Sequence, residues 1–279
     1  MVLKPEFQGR IEVIKLLFWL QKELNNKIDI DTTILQEELD KQKFNHLYDI
    51  GTMKDYECIL NTDMIEKENL EKVIPVGSLD FVQMILSRIH NVDIMNPIEV
   101  PDVLREDRFL KRKYSIVPKN QLPNQGYYFT KYVSKLKVFS YTGMIEDLQY
   151  KDDSNESFLK EGLYQVSEVV DILSEYRCFV QNDKLVAINY YDGDCTVFPD
   201  ISEIKSMIGN YMRDPNRPKA YTMDIAVIRN RGTAILEVHP WVSVGLYGYM
   251  FGSSLPYCYR DGFEYYINSN KEIREWSNL

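Results

Sequence analysis

Two acidic residues stand on either side of a tight turn in the C-terminal part of the sequence. Asp224 and Glu237 fall in the segment 221–241, YTMDIAVIRNRGTAILEVHPW, which predicts two strands joined by a turn at residues 229–232. The result is a hairpin with both carboxylates at its rim. Carboxylates on neighbouring strands can share Mg²⁺, a hard cation that takes oxygen ligands and keeps substrate phosphates in its shell. The hairpin therefore favours a metal site whose partner is a nucleoside triphosphate.

A second set of charged residues precedes the hairpin, in the segment 164–180, YQVSEVVDILSEYRCFV. Glu168 and Glu175 flank a short apolar bend, and Arg177 comes two positions after Glu175. On a strand, side chains at such a spacing point to the same face. Glu175 and Arg177 therefore form either a structural ion pair or part of an anion-binding arrangement.

The order and spacing of these residues resemble the ATP-grasp superfamily, whose members activate carboxylates as acyl phosphates and couple them to an amine or thiol. In its D-alanine ligase branch, a hinge acid at the adenine end is followed by a ribose-binding acid, and Glu168 and Glu175 have a similar spacing. The metal acids of the family come as Asp, a hairpin and Glu-x-Asn. Asp224 and Glu237 match this pattern, and His239 stands where the asparagine is usual. The resemblance covers roughly residues 105–268.

The resemblance also implies which residues contact ATP. Lys131, in the predicted strand 126–134, stands where a strand lysine of the family reaches the α- and β-phosphates, the alternative being a solvated edge lysine. Main-chain groups of Val169 and Val170 would pair with the adenine edge while apolar side chains sandwich the ring. Arg177 would contact phosphate or acyl-phosphate oxygens, which a guanidinium fork suits because it matches phosphate geometry and keeps its charge.

The segment 135–144, KLKVFSYTGM, resembles the flexible phosphate-covering loop of the family. The resemblance makes Lys135, Lys137, Ser140 and Gly143 candidate phosphate contacts. Loop lysines are more often simply solvated, and the sequence contains no Walker-type run that would strengthen the assignment.

For the metal, the resemblance implies Mg²⁺ ligands at Asp224, Glu237 and His239. Two alternatives stay open at this point. Arg229 and Arg231 in the turn offer partners that would make the acids structural, and His239 could serve only as a hydrogen-bonding group where the usual asparagine would.

Composition sets outer limits. With 279 residues, 44% hydrophobic and 27% charged, the chain can bury a sizeable core as one large or two smaller domains. The four cysteines are far apart and form no C-x-x-C pair, which favours reduced thiols over a zinc site or a disulfide framework. No secretory signal opens the chain, and no stretch has about 18 uninterrupted apolar residues. We expect a cytoplasmic protein without membrane association.

The net charge of −9 argues against broad, sequence-independent nucleic-acid binding, which depends on neutralising phosphates. A local basic cluster departs from that balance, and it comprises Arg105, Arg108, Lys111, Arg112, Lys113 and Lys119. An RNA end-joining or end-modifying enzyme would use this cluster, with Arg112 as a candidate catalytic residue.

The predicted fold class is α/β (α+β), with an N-terminal α/β domain at 1–100 followed by a two-lobed ATP-grasp region with antiparallel sheets at 101–279. Pro97 and Pro101 mark the boundary. The N lobe covers about 101–168 and the C lobe about 169–279. Predicted helices cover 10–25, 79–90, 198–214 and 257–267, and a short buried strand precedes Ser78.

The resemblance implies an ATP- and Mg²⁺-dependent, ADP-forming ligase that joins a carboxylate to an amine, with a peptide or protein as the first candidate substrate. Phage-associated members of the superfamily share the Gly-Ser turn before residue 79. Two other classes remain open: an ATP-grasp enzyme of RNA repair, and a catalytically inactive protein that binds nucleotide. The second is suggested by His239 in place of asparagine.

Overall fold

The computed structural model describes residues 79–92, 95–135, 139–149, 159–242, 244–249 and 255–277. They belong to two compact units. The first comprises 95–217 and 221–239, and the second comprises the described parts of 1–94, 218–220 and 240–279. The predicted helix over 10–25, the predicted strand before Ser78 and the candidate phosphate contact Lys137 lie outside the described residues.

In chain order, the described residues form α1 (Leu79–His90), α2 (Asp107–Leu110), β1 (Tyr114–Pro118), β2 (Tyr127–Tyr132), β3 (Ser140–Met144), α3 (Ile145–Gln149), β4 (Leu163–Glu168), β5 (Ile172–Gln181), β6 (Lys184–Gly193), α4 (Ile201–Tyr211), β7 (Ala220–Ile228), β8 (Gly232–Pro240) and α5 (Leu255–Ser277). Short 3₁₀ turns occupy Asp102–Leu104 and Lys119–Gln121.

The first sheet is antiparallel, with the strand order β1-β4-β2-β3. Strand β2 is an inner strand, because Lys131 lies opposite Gln165 of β4 on one side and Ser140 of β3 on the other. The predicted strand over 126–134 is confirmed. Lys131 therefore projects from the interior of a sheet and not from its edge.

The second sheet has the strand order β6-β5-β7-β8, and β5 pairs with β6 in antiparallel fashion. Strands β7 and β8 form the hairpin expected from the sequence. Its turn holds Asn230 at a φ of 60° and Gly232 at a φ of 79°. Asparagine and glycine adopt this left-handed conformation at little cost, so the sequence reverses direction here. The prediction of an α/β chain with antiparallel sheets is confirmed.

Helix α4 covers part of the second sheet. The Asp200 carboxylate caps the first turn by accepting a main-chain N–H at 2.7 Å. Ile204 and Met207 then enter an apolar cluster with Met223 of β7 and Cys178 of β5. The predicted helix over 198–214 and its packing against the C-terminal sheet are confirmed.

Two predictions for the region after β2 are wrong in part. The sequence predicts a loop at 140–144, but these residues form β3, since pairing with β2 satisfies their main-chain groups. The acidic composition of 145–162 predicts a surface excursion throughout. Its first residues instead form α3, because the fully buried Ile145 anchors them in the apolar cluster beneath the first sheet.

The second unit contains α1 and α5 among its described residues. The His90 ring meets Phe263 edge-on at a centroid distance of 5.4 Å. Gly262 lies against the main chain of Trp241 so closely that a Cβ atom would clash with it. The predicted helices over 79–90 and 257–267 are confirmed, the latter being longer than expected. Within the part of the chain that the structure describes, no helix is long and apolar enough to cross a membrane.

Candidate functional site

A cavity of about 320 Å³ opens between the two sheets of the first unit. One wall comes from the first sheet and the opposite wall from the second, and the connection from β4 to β5 closes one side. The lining residues are Phe129, Thr142, Gln165, Ser167, Glu168, Val169, Val170, Ile172, Glu175, Tyr191, Leu236 and Glu237, with Arg112. Its mixture of apolar surface and a few polar groups is typical of a small-molecule site.

Four charged residues meet at this cavity in a continuous chain of contacts. The Lys131 Nζ atom donates to Glu237 Oε2 at 2.5 Å and to Glu99 Oε2 at 2.8 Å. On the other side, His239 Nε2 lies 2.7 Å from Glu237 Oε1. Both oxygens of Glu237 therefore have partners, and Lys131 is not the solvated edge lysine that the sequence left open.

The Asp224 carboxylate is fixed from β5. The Arg177 Nε atom donates to Asp224 Oδ1 at 2.8 Å, and Nη2 donates to Oδ2 at 2.7 Å. Both side chains are almost fully buried. The sequence predicts that Arg177 shares a face with Glu175, but its partner lies on the neighbouring strand β7, which β5 contacts in the sheet.

Asp224, Glu237 and His239 offer ligand atoms that all lie within 4.8 Å of one another. Two carboxylates and an imidazole are a donor set that suits a divalent cation. The structure thus brings together all the residues for which the sequence implied a metal. The asparagine position is filled by a group that can ligate through nitrogen.

The electrostatics of this trio favour the charged forms. Burial by itself would raise the pKa of Glu237, but His239 and Lys131 outweigh burial and hold that pKa below its usual range. Burial would lower the pKa of His239, and the Glu237 and Asp224 carboxylates outweigh it and raise that pKa. Glu237 is accordingly a carboxylate, the form in which it can bind a cation.

Arg112 brings positive charge to the same cavity. Its side chain is buried and donates to three main-chain carbonyls, those of Leu110 at 3.1 Å, Ile235 at 2.5 Å and Leu236 at 3.2 Å. No described carboxylate forms a salt bridge with it. Burial lowers the pKa of Arg112, yet a guanidinium stays charged. A fixed cation without a neutralising acid therefore lines the cavity, which favours an anionic ligand.

The hinge end is arranged differently. Glu168 accepts from Arg231 Nη2 at 2.6 Å and from the Lys113 main-chain N–H at 3.1 Å, and these hydrogen bonds lower the pKa of Glu168 to about 2. Arg229 pairs with Asp171. The turn arginines thus bind hinge acids, and the sequence alternative in which they neutralise Asp224 and Glu237 is not what the structure contains.

Glu175 lines the cavity from β5 and accepts a hydrogen bond from the Tyr191 hydroxyl of β6 at 2.5 Å. Burial raises the pKa of Glu175. Val169 and Val170 line the same part of the cavity. The structure therefore groups the residues expected at the adenine and ribose end, and it separates them from the Lys131 end.

A family model described as an ATP-grasp domain, the second family of its clade, matches residues 109–253. The chain belongs to this ATP-grasp family. No curated protein matches the sequence significantly. The solved structures with similar folds are distant, and at their TM-scores the similarity supports no further argument.

Three of these structures illustrate the distance. The D-alanine–D-alanine ligase from Bacillus anthracis complexed with ATP is 12% identical with a TM-score of 0.39, covering 94% of this chain and 93% of that one. The ATP-grasp ligase PsnB complexed with minimal precursor is 13% identical with a TM-score of 0.37, covering 57% and 58%. For N5-carboxyaminoimidazole ribonucleotide synthetase from Thermotoga maritima the values are 12%, 0.34, 63% and 55%. The chain thus spans little more than half the length of the last two.

Sequence reasoning missed two residues of the ATP-grasp site. Glu99 contacts Lys131 from a segment that lies before the matched residues, and Tyr191 contacts Glu175 from β6. Glu99 stands between Pro97 and Pro101, where the only available signal was an acid in a stretch broken by prolines. Tyr191 carried no signal beyond the aromatic composition of a strand.

The basic cluster does not form one free cationic surface on the ATP-grasp domain. Arg105 pairs with Asp102, Arg108 with Glu106, Lys111 with Glu203 and Lys119 with Glu161, while Arg112 is directed to main-chain carbonyls. Neutralised side chains contribute little to phosphate binding.

Proposed function

We propose that the protein is an ATP- and Mg²⁺-dependent ligase of ATP-grasp type, which forms an acyl phosphate and couples a carboxylate to an amine. One observation carries the proposal. At one end of the cavity, the cations Lys131 and Arg112 adjoin the donor set of Asp224, Glu237 and His239. Fixed positive charge beside a divalent-cation site is the arrangement that a triphosphate requires.

ATP would enter with its adenine at the connection from β4 to β5. Main-chain groups of Val169 and Val170 offer donors and acceptors to the base edge, and Glu175 accepts from the ribose hydroxyls. The phosphates then extend toward Lys131 and Arg112. Buried hydrogen-bonding groups of this kind give orientation and specificity, while the apolar lining supplies contact area.

Asp224, Glu237 and His239 would hold the metal. When bound, Mg²⁺ neutralises negative charge on the phosphates as it shifts during transfer. The chain's own residues prepare the site. Arg177 fixes both oxygens of Asp224, so the carboxylate is oriented without having to reorganise, and we assign Arg177 a positioning role.

The reaction has two steps. A carboxylate oxygen of the substrate attacks the γ-phosphorus, the bond to the bridging oxygen breaks, and ADP leaves with the electron pair. An amine then attacks the acyl carbon, inorganic phosphate leaves, and the amine loses a proton as the amide forms. Lys131 and Arg112 stabilise the charge on the transferring group by holding cations at fixed positions. A peptide or protein is proposed as the carboxylate substrate.

Hydroxylamine trapping tests this chemistry without knowledge of the natural amine. The protein is incubated with ATP, Mg²⁺, hydroxylamine and a panel of free amino acids and short peptides. An acyl phosphate reacts with hydroxylamine to give a hydroxamate, so we expect hydroxamate and ADP in equal amounts with at least one acid. Reactions without ATP serve as controls.

The outcomes separate the three classes of function. Binding of ATP with no ADP under any condition would identify a catalytically inactive nucleotide-binding protein. ADP or AMP formation that depends on added RNA and yields no hydroxamate would identify the RNA enzyme. Either result would refute the carboxylate–amine ligase proposed here.

A further inference from the structure

Glu99 is held in place by its main chain. Its carbonyl accepts the Val238 N–H at 2.8 Å in an isolated antiparallel bridge to β8, between Glu237 and His239. To make this contact, Glu99 adopts a φ of 56°, a left-handed conformation that costs energy for a residue other than glycine. A residue kept in such a conformation is fixed by its surroundings and cannot easily move away.

The side chain of Glu99 is also unusual. It is only 3% exposed, and Lys131 is its sole partner among the described residues with opposite charge. Its other oxygen, Oε1, is buried and has no hydrogen-bond partner in the part of the chain that the structure describes. Burying a carboxylate with one unsatisfied oxygen is costly, so a purely structural role explains the residue poorly.

Lys131 stands between two carboxylates that compete for it. Its Nζ contacts Glu237 and Glu99 at similar distances, and Glu237 has a second demand from His239. Glu237 cannot direct Oε2 to a cation while Lys131 occupies it. A second carboxylate beside Lys131 supplies the ammonium with a partner that it can keep when Glu237 is withdrawn.

We propose that Glu99 is a positioning residue that retains Lys131 at the phosphate end of the cavity and thereby frees Glu237 for the metal. The inference rests on the proposed function, in that it takes Asp224, Glu237 and His239 as the metal ligands. It extends the site to a residue that precedes the matched ATP-grasp segment. Glu99 touches neither metal nor nucleotide in this role, and it acts through Lys131.

The test measures Mn²⁺ binding to the nucleotide-free protein, with free Mn²⁺ followed by electron paramagnetic resonance. In Glu99→Gln the ammonium has only Glu237 as a charged partner, so Mn²⁺ affinity is expected to fall by about tenfold, equivalent to about 1.4 kcal/mol. In Lys131→Met, Oε2 of Glu237 is released and Mn²⁺ affinity should rise. Glu99→Gln added to Lys131→Met should then change affinity less than about twofold.

A matched control removes an equivalent charge elsewhere. Glu161 also pairs with a lysine, Lys119, but its side chain is exposed. Glu161→Gln should leave Mn²⁺ affinity unchanged. Thermal unfolding of each variant checks the fold, and the opposite sign expected for Lys131→Met keeps the inference testable should Glu99→Gln fail to fold.

Two results would overturn the inference alone. Wild-type affinity in Glu99→Gln, or an equal loss in the presence and absence of Lys131, would show that Glu99 does not act through the lysine. Unchanged affinity in Lys131→Met would show that the lysine does not compete for Glu237. A wild-type protein that binds neither Mn²⁺ nor ATP would overturn the proposed function itself, and this inference with it.

Discussion

The first unit contains two arginine–carboxylate pairs that use the same chemistry at opposite ends of one cavity. Arg177 and Asp224 are buried, with side chains 9% and 4% exposed, and form two hydrogen bonds. Arg231 and Glu168, at the hinge end, also form two hydrogen bonds, but their side chains are 42% and 31% exposed. The contact geometry is the same, and the access of water differs.

That difference decides what each pair does. Water screens an exposed pair, whose contribution to stability is small, whereas a buried charge that loses its partner is left without any compensation. The buried pair therefore fixes the position of Asp224 beside Glu237, and the exposed pair only fastens the hairpin turn to the hinge. Substitutions at the two ends should separate by several kcal/mol.

The largest effect is expected for Arg177→Met. This change leaves the Asp224 carboxylate buried and unpaired, so the free energy of unfolding should fall by about 3 to 5 kcal/mol. Urea denaturation measures it. A loss below about 1 kcal/mol would show that water reaches Asp224, and the contrast between the two ends would disappear.

A smaller effect is expected for ligand binding near the hinge. Glu175→Ala removes the carboxylate proposed to accept from the ribose, and should weaken ATP binding by about 1 to 3 kcal/mol, the cost of an unpaired hydrogen-bonding group. Isothermal titration calorimetry of the folded variant gives the value. Unchanged ATP affinity would remove Glu175 from the nucleotide site.

Arg231→Met is the counterpart of Arg177→Met at the exposed end. Because solvent screens the pair with Glu168, the free energy of unfolding should fall by no more than about 1 kcal/mol. The same urea denaturation assay is used for both arginine variants. Equal losses in both would mean that burial does not distinguish the pairs.

The smallest effect concerns acid. The pKa of Glu168 is lowered to about 2 from a reference of 4.5, chiefly by the hydrogen bond from Arg231. A depressed folded-state pKa stabilises the protein above the unfolded value, and this contribution disappears as the pH falls from 4.5 toward 2. The stability difference between wild type and Glu168→Gln should therefore shrink over that interval. A difference that stays constant would place the ionisation elsewhere.

Features encoded locally could be predicted from the sequence. The β7–β8 hairpin follows from apolar strands around a turn with asparagine and glycine, and it places Asp224, Glu237 and His239 together. The strand that carries Lys131 follows from composition. In each case the residues that determine the structure are neighbours in the chain.

Contacts between distant segments could not be predicted. The spacing of Arg177 and Glu175 predicts a shared face, but the sheet order places Asp224 of β7 beside the arginine. Glu99 reaches Lys131 and lies on β8 because of a single bridge, which no periodic pattern announces. Strand β3 escaped prediction because its short polar sequence gains its structure from pairing with β2.

The central claim is that Glu237 carries the metal that phosphoryl transfer requires. ADP formation by Glu237→Gln, measured with ATP and Mg²⁺ on the acid that gives hydroxamate in the wild type, tests it most directly. Because charge that develops during the reaction loses its compensation, the rate should fall by about 10²-fold or more, and excess Mg²⁺ should not fully restore it. Glu161→Gln, which alters an exposed carboxylate, should react at the wild-type rate. Wild-type ADP formation by folded Glu237→Gln would contradict the ATP-grasp mechanism proposed for this site.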